Sequence, residues 1–127
     1  MDLDKQKLLY TRYPMLFSGR EFFFECGDGW FDLIDGLCAQ LVDACAQLSE
    51  QERELVSIFQ IKEKMGELRV YLDADEVSEE MDRIIDRMSI RSLTICELCG
   101  SEGRRRGANY CVRVRCDRCL GQEDGGT

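Results

Sequence analysis

Four cysteines near the C-terminus have the spacing of a metal site. They form two Cys-x-x-Cys pairs, Cys96 with Cys99 and Cys116 with Cys119, and sixteen residues separate the pairs. Two thiolates two residues apart can bind one Zn²⁺ ion, and a second pair completes a tetrahedral site of four sulfurs. Gly100, directly after the second sulfur, fits a turn conformation that glycine adopts at low cost. Four protein sulfurs leave no open position for water or substrate, so the sequence predicts one structural Zn²⁺ ion.

The other four cysteines are predicted to be buried free thiols in a reducing compartment. The N-terminal residues lack the basic-then-apolar order of a signal peptide, and no run approaches the roughly 18 apolar residues that cross a bilayer. We therefore expect a cytoplasmic protein without a membrane partner. The alternative for Cys26 is a reactive thiol near a helix N-terminus. The alternative for Cys111 is a fifth sulfur at the metal site. The predicted buried thiols are Cys26, Cys38, Cys45 and Cys111.

The net charge of −8 is unevenly distributed. Residues 1–90 hold ten basic and twenty acidic side chains, a balance of −10, whereas residues 91–119 hold seven arginines and three acidic side chains. A Zn²⁺ ion with four thiolates adds about −2, which leaves the cysteine segment only mildly basic. Non-specific nucleic-acid binding through the whole surface is disfavoured, but a local basic patch remains open.

The arginines between the two cysteine pairs are the candidate nucleic-acid site. Three follow one another between two glycines, which predicts a loop that reaches phosphates. Alternation over residues 109–115 predicts a strand with its valines inward and its arginines outward, and a tyrosine there can stack on a base. The alternative is that the arginines pair with the acidic side chains of this protein. The candidate residues are Arg104, Arg105, Arg106, Tyr110, Arg113 and Arg115.

Four carboxylates near a Gly-Asp-Gly turn are the candidate partner-binding residues: Glu25, Asp28, Asp32 and Asp35. The last three share one face of a predicted helix, so they form either a binding or catalytic cluster or an ordinary solvated acidic face. The chain contains no histidine, which excludes Cys-His and Ser-His nucleophile pairs and an imidazole base. Walker and dinucleotide-binding motifs are absent as well. We therefore predict that the protein is not an enzyme.

The apolar periodicity predicts an α+β fold. Steps of three and four place Trp30 and the following apolar residues on one helix face, and β-rich alternation over residues 54–72 predicts a hairpin that turns near 62–67. The segment from Tyr13 to Phe17 is expected to be extended or turning, and Phe22–Phe24 to be strand-like or an apolar anchor. The predicted helices span residues 3–12, 29–48 and 76–92, with Asp28 capping the second and Asp75 or Ser78 capping the third.

Three regions follow from this pattern. Residues 1–93 form an acidic body of helices and a β-hairpin, residues 94–120 form a zinc-ribbon or treble-clef-like module built on the four cysteines, and residues 121–127 form a flexible tail. The zinc module is expected to stiffen one end of the body, because a closed metal site fixes the chain around it.

The motifs taken together resemble a group of small phage-encoded and prophage-encoded proteins of unassigned function. The resemblance covers most of residues 13–119 and is most specific at Cys26-Gly27-Asp28-Gly29-Trp30 and at Lys62-Glu63-Lys64-x-Gly66. The two cysteine pairs continue it, although some relatives have a histidine in the last pair where this chain has Cys116 and Cys119. The resemblance implies a mobile-element origin and a host-cytoplasm setting, and it implies no particular activity.

Two functions from different classes remain at this stage. The first is a non-enzymatic phage-type zinc protein that binds a host protein, with an acidic surface that inhibits nucleic-acid-handling or defence machinery by offering carboxylates in place of phosphates. The alternative is a nucleic-acid-binding regulator that uses the arginine-rich zinc module. A carboxylate-dependent nuclease is a third and weaker option. The sequence leaves the oligomeric state open.

Overall fold

The computed structural model describes residues 1–17, 22, 24–74 and 79–121. Over these residues the fold is α+β, as predicted, with helices and two small antiparallel sheets of two strands each. A 3-10 turn over Asp28–Trp30 directly precedes the helix Phe31–Cys45. The elements are α1 Leu3–Arg12, α2 Pro14–Phe17, α3 Phe31–Cys45, α4 Glu50–Glu54, β1 Ser57–Lys64, β2 Glu67–Asp73, α5 Glu79–Ser92, β3 Arg104–Arg106 and β4 Arg113–Arg115.

The helices α1 and α3 confirm the two helices predicted over residues 3–12 and 29–48, and their ends lie within three residues of the predicted ones. Asp2 caps α1, since its carboxylate accepts the backbone N–H groups of Asp4 and Lys5. The predicted cap at Asp28 is wrong, because the Asp28 carboxylate accepts the Asp2 N–H at 2.7 Å and pairs with Lys5 at 3.7 Å. The described part of the third helix runs over Glu79–Ser92, and its predicted caps, Asp75 and Ser78, lie outside the described residues.

Aromatic residues from the first thirty positions of the chain form part of the core. Trp30 and Phe24 are fully buried, and Phe17 is almost so. Tyr10 packs edge-on against Phe17 and Phe24, with ring centroids 4.9 and 5.6 Å apart. This packing holds α1 and α2 against Phe24, because large aromatic rings supply much of the buried apolar area of a small domain. Phe23 lies outside the described residues.

The hairpin of β1 and β2 turns where the charged, glycine-containing segment predicted it. Met65 and Gly66 form the turn, both with positive φ, at +56° and +82°. Two successive left-handed residues are what a two-residue hairpin turn requires. The hairpin packs on α5 and α2, so its inward residues Ile61 and Leu68 join the core with no exposed surface.

Three local predictions are wrong. The segment after Tyr13 is a short helix, Pro14–Phe17, because Pro14 at its first position has a φ suited to helix initiation. The three consecutive arginines lie in β3, where they pair with β4, instead of in a loop. The predicted strand over 109–115 is limited to Arg113–Arg115, because Asn109 has a positive φ of 58° and the chain turns there.

No helix in the described ranges is both long enough and apolar enough to span a bilayer.

The buried thiols of the body give a pH dependence of stability. Burial raises the pKa of Cys26 from 9.0 to about 12, and burial also raises the pKa of Cys38 well above its ordinary value. A raised pKa in the folded state means that stability is complete below pH 9.0 and is lost as the pH rises toward 12, since the unfolded thiols ionise first. We expect urea unfolding to give a smaller free energy at about pH 10.5 than at about pH 8. A Cys26→Ala variant should show a shallower decline; an identical decline in the variant would contradict this assignment for Cys26.

Candidate metal centre

The four predicted ligands lie together. The sulfur atoms of Cys96, Cys99, Cys116 and Cys119 are all within 4.8 Å of one another, and the Cys99 and Cys116 sulfurs are 3.5 Å apart. Sulfurs at about 2.3 Å from a tetrahedral ion stand about 3.8 Å apart, so this cluster fits one metal ion at its centre. Cys96, Cys116 and Cys119 are buried, and Cys99 is exposed. Three of the four cysteine residues are therefore shielded from solvent by protein, and Cys99 lies at the surface.

Backbone turns aim each pair of sulfurs at the same point. In the first turn, Gly100 donates its N–H to the Cys96 carbonyl at 2.8 Å, and Cys96 donates its own to the Ser101 carbonyl at 2.7 Å. Gly100 has a φ of +85°, which confirms the expected left-handed conformation. In the second turn, Cys119 donates its N–H to the Cys116 carbonyl at 3.2 Å. The hairpin of β3 and β4 joins the two turns and sets their separation.

The surroundings of the sulfurs favour the thiolate form of Cys99 and the thiol form of Cys119. Hydrogen bonds from Ser101 lower the pKa of Cys99 from 9.0 to about 6. Burial raises the pKa of Cys119 from 9.0 to about 12. A bound divalent cation deprotonates a coordinating thiol outright, so metal binding would release a proton from Cys119 in particular.

Glu97 connects the first cysteine pair to the body of the protein. Its side-chain Oε2 accepts the Gly27 N–H at 2.9 Å, and its backbone carbonyl accepts the Gly29 N–H at 2.7 Å. Its other carboxylate oxygen lies 3.5 Å from a guanidinium nitrogen of Arg115, and the two residues are 3% and 4% exposed. Removing one partner of a buried ion pair leaves the other charge uncompensated, so each residue depends on the other.

Two glycines make this contact close. A Cβ atom on Gly27 would lie 2.4 Å from the Glu97 carbonyl oxygen, and one on Gly29 would lie 2.1 Å from the Cys96 carbonyl oxygen. Trp30 adds a third link, since its indole N–H donates to the Ile95 carbonyl at 2.9 Å. The Cys-Gly-Asp-Gly-Trp segment is therefore the surface on which the first cysteine pair sits.

Sequence reasoning did not identify this junction. Glu97 is separated from Gly27 by seventy residues, so no local periodicity links them. The available signal was the pair of glycines flanking Asp28, since alternate glycines allow a close backbone approach. The predicted boundary between body and module at residue 93 stays a prediction.

The candidate arginines are divided between internal and exposed positions. Arg115 is buried against Glu97, so the expectation that it faces outward is wrong: the Val112–Arg115 segment packs on the body with both Val114 and Arg115 inside. A guanidinium nitrogen of Arg113 forms an ion pair with a Glu63 carboxylate oxygen at 3.3 Å, and one of Arg106 pairs with a carboxylate oxygen of Asp117 at 2.6 Å. The exposed candidates are Arg104, Arg105 and Tyr110, the last of which is 89% exposed.

The candidate carboxylates do not converge on one point as a metal site would require. Asp28 pairs with Lys5, and Asp35 accepts hydrogen bonds from Arg12 at 3.0 Å and from the Tyr13 hydroxyl at 2.8 Å. Glu25 lies beside β1, where its carboxylate accepts from Gln60 at 3.2 Å, and Asp32 is exposed on α3. Within the described ranges, the one group of at least three metal-ligating side chains is the cysteine cluster.

The other cysteines confirm the predicted burial in three of four cases. Cys26, Cys38 and Cys45 are buried free thiols. Cys111 is exposed, which contradicts its predicted packing, because it lies in the turn before β4 and not within the strand.

Comparison with protein-family models, with curated proteins and with solved structures finds no match to this chain. Its function is therefore inferred from the geometry of the site.

Proposed function

We propose that this chain is a non-catalytic zinc-binding protein that recognises a protein partner through its acidic surface. The cluster of four sulfurs within 4.8 Å supports this assignment. Thiolates in a tetrahedral set select soft ions such as Zn²⁺. Four protein ligands complete the coordination of zinc, so the ion has a structural role and activates no water.

The arrangement of the cysteines supports a zinc-ribbon type of module. Two Cys-x-x-Cys turns lie at the ends of a two-stranded antiparallel hairpin, and each turn contributes two sulfurs. Zinc then holds Glu97 where it meets the body, so the ion fixes the position of the hairpin as well as its fold.

The partner surface that we propose is the solvent face of α3. Asp32 and Asp43 are exposed and stand eleven residues apart, about three helical turns, which places them on one side of the helix. The acidic balance of residues 1–90 gives this face a negative field that favours a basic partner surface. The resemblance to phage-encoded proteins suggests a host nucleic-acid-handling or defence protein as the partner, and a host-cytoplasm setting.

Nucleic-acid binding is the second candidate, favoured by the exposure of Arg104, Arg105 and Tyr110 on the zinc hairpin. Three of the five candidate arginines pair with carboxylates of this chain. Each internal pair removes a phosphate contact, so the remaining patch is small for tight binding. We therefore place protein recognition first.

Charge reversal separates the two candidates. We expect affinity capture from a host lysate with the Asp32→Lys/Asp43→Lys variant to lose at least about 90% of the partner that the wild type recovers, because the attraction becomes repulsion. An Arg104→Ala/Arg105→Ala variant should keep that partner, and Glu102→Lys serves as a charge-change control outside α3. Equal recovery by the α3 variant would contradict the proposed surface. Salt-dependent retention of DNA or RNA that the arginine variant loses would support the second candidate instead.

A further inference from the structure

The two outer edges of the β1–β2 sheet have different hydrogen-bond partners in the rest of the chain. On the β1 side, Glu25 donates its N–H to the Ile61 carbonyl at 3.0 Å and accepts the Glu63 N–H at 2.9 Å. On the β2 side, Leu68 donates its N–H to the Ser92 hydroxyl at 3.0 Å and accepts the Ser89 hydroxyl at 2.9 Å. Two serines of α5 thus replace a neighbouring strand, but only at Leu68.

Val70 is the next residue on that edge. Backbone groups of a strand alternate in direction, so those of Val70 point away from β1, as those of Leu68 do. Within the described part of the chain, no backbone or side-chain group of the protein forms a hydrogen bond with them there. Val70 is 8% exposed as a whole residue, and backbone groups at a strand edge that lack a protein partner leave a hydrogen-bonding position open. The edge is therefore incomplete at Val70.

A groove of about 420 Å³ lies along this edge, between β2 and α5. Val70 and Tyr71 form one wall, and Ile85, Ser89 and Ile90 form the other. Ile90 is 66% exposed, an unusual position for a large apolar side chain beside an open strand edge. The groove offers backbone hydrogen-bonding groups on one side and apolar contact on the other.

The charged side chains around the groove favour one charge on the ligand. Glu67 and Arg69 line it as an ion pair at 3.0 Å and neutralise each other. Asp86, exposed on α5, contributes a further negative charge at the rim. Asp73, exposed at the end of β2, extends this charge along the same strand. A ligand with positive side chains is favoured over an acidic or phosphate-bearing one.

We propose that this groove binds an extended, basic segment of a partner protein, which adds to β2 as a further strand. Its backbone would pair with Val70, an apolar side chain would cover Ile85 and Ile90, and a lysine or arginine would approach Asp86. Strand addition of this kind takes its affinity from main-chain hydrogen bonds and its specificity from alternate side chains. The inference goes beyond the proposed function, because the groove and the solvent face of α3 are different surfaces and either can fail alone.

The test uses the full zinc-loaded chain and synthetic peptides of about six residues, the usual strand length, in which lysine alternates with valine, isoleucine, leucine or phenylalanine. We expect at least one peptide to shift the backbone amide NMR signals of Val70, Ile85 and Ile90. Methylating alternate peptide nitrogens should abolish binding in one of the two possible registers, because it removes the donors that pair with the strand edge.

A matched pair of protein variants tests the side-chain contacts. Ile90→Arg should weaken peptide binding at least about tenfold, since it removes apolar contact and adds a repelling charge. Leu55→Arg, at a site 55% exposed at the end of α4, should leave binding unchanged. Both sites are exposed, so neither substitution threatens the fold.

Three results would overturn the proposal. The first is that none of these peptides binds, and the second is that peptides methylated in either register bind as well as unmethylated ones. The third is a concentration-dependent dimer, measured by sedimentation, that Ile90→Arg abolishes, which would assign the groove to a second copy of this chain. Loss of the lysate partner in the α3 variant, with peptide binding intact, would leave this inference standing.

Discussion

Replacing Cys96 by serine is expected to remove the bound metal and to lower the free energy of unfolding by at least about 3 kcal/mol, because structural zinc contributes on the order of 10 kcal/mol to folding in small domains. Cys96 is fully buried and belongs to the turn that carries Glu97. Loss of the ion would therefore loosen the junction with Gly27 and Gly29 as well as the cluster. Urea unfolding followed by the fluorescence of Trp30, the only tryptophan, measures this effect.

Cys111→Ser is the matched control, since Cys111 is exposed and outside the cluster. This variant should keep one metal ion per chain and should unfold within about 0.5 kcal/mol of the wild type, as surface substitutions usually do. A chelator added to the wild type should reproduce the Cys96→Ser result. Equal stability of the two cysteine variants would contradict a structural metal.

Gly29→Ala is expected to destabilise the protein by about 1 to 3 kcal/mol, the usual cost of forcing a methyl group into packed structure. The new Cβ would lie 2.1 Å from the Cys96 carbonyl oxygen and 2.6 Å from that of Glu97, and both are backbone atoms with little freedom to move. The first cysteine turn would have to shift away from Trp30. We expect a lower midpoint in urea and a weaker affinity for zinc, measured by competition with a chromogenic chelator.

Gly36→Ala serves as the control, because its expected change in stability has the opposite sign. Gly36 lies inside α3, and a Cβ there meets no atom within 4 Å. Alanine in a helix interior is more favourable than glycine by about 1 kcal/mol. This variant should therefore be more stable than the wild type with unchanged zinc affinity. A Gly29→Ala protein as stable as Gly36→Ala would show that the two surfaces do not meet as described.

The features that sequence reasoning placed correctly depend on residues close together in the chain. The steps of three and four that begin at Trp30 predict α3, and alternation with a charged turn predicts the hairpin around Gly66. The metal site follows from two pairs of cysteines, because ligand spacing within each pair is itself a local pattern. No comparable local pattern predicted the strand at Arg104–Arg106, because the glycines on both sides of the three arginines indicated a loop.

The features that sequence reasoning missed depend on long-range pairing. Arg115 was expected outward because a strand alternates, but the buried carboxylate of Glu97 holds it inside. Asp28 was expected to cap a helix, but the Asp2 N–H and Lys5 engage it instead. In each case the deciding partner lies on another element, so composition and periodicity carry no information about the choice.

X-ray absorption at the zinc edge, on protein purified without added metal, tests the central claim most directly. The closed site predicts one zinc ion per chain with four sulfur neighbours at about 2.3 Å and no oxygen neighbour. Folded protein without zinc would contradict it, and so would a zinc ion that carries a bound water in place of one of the four sulfurs.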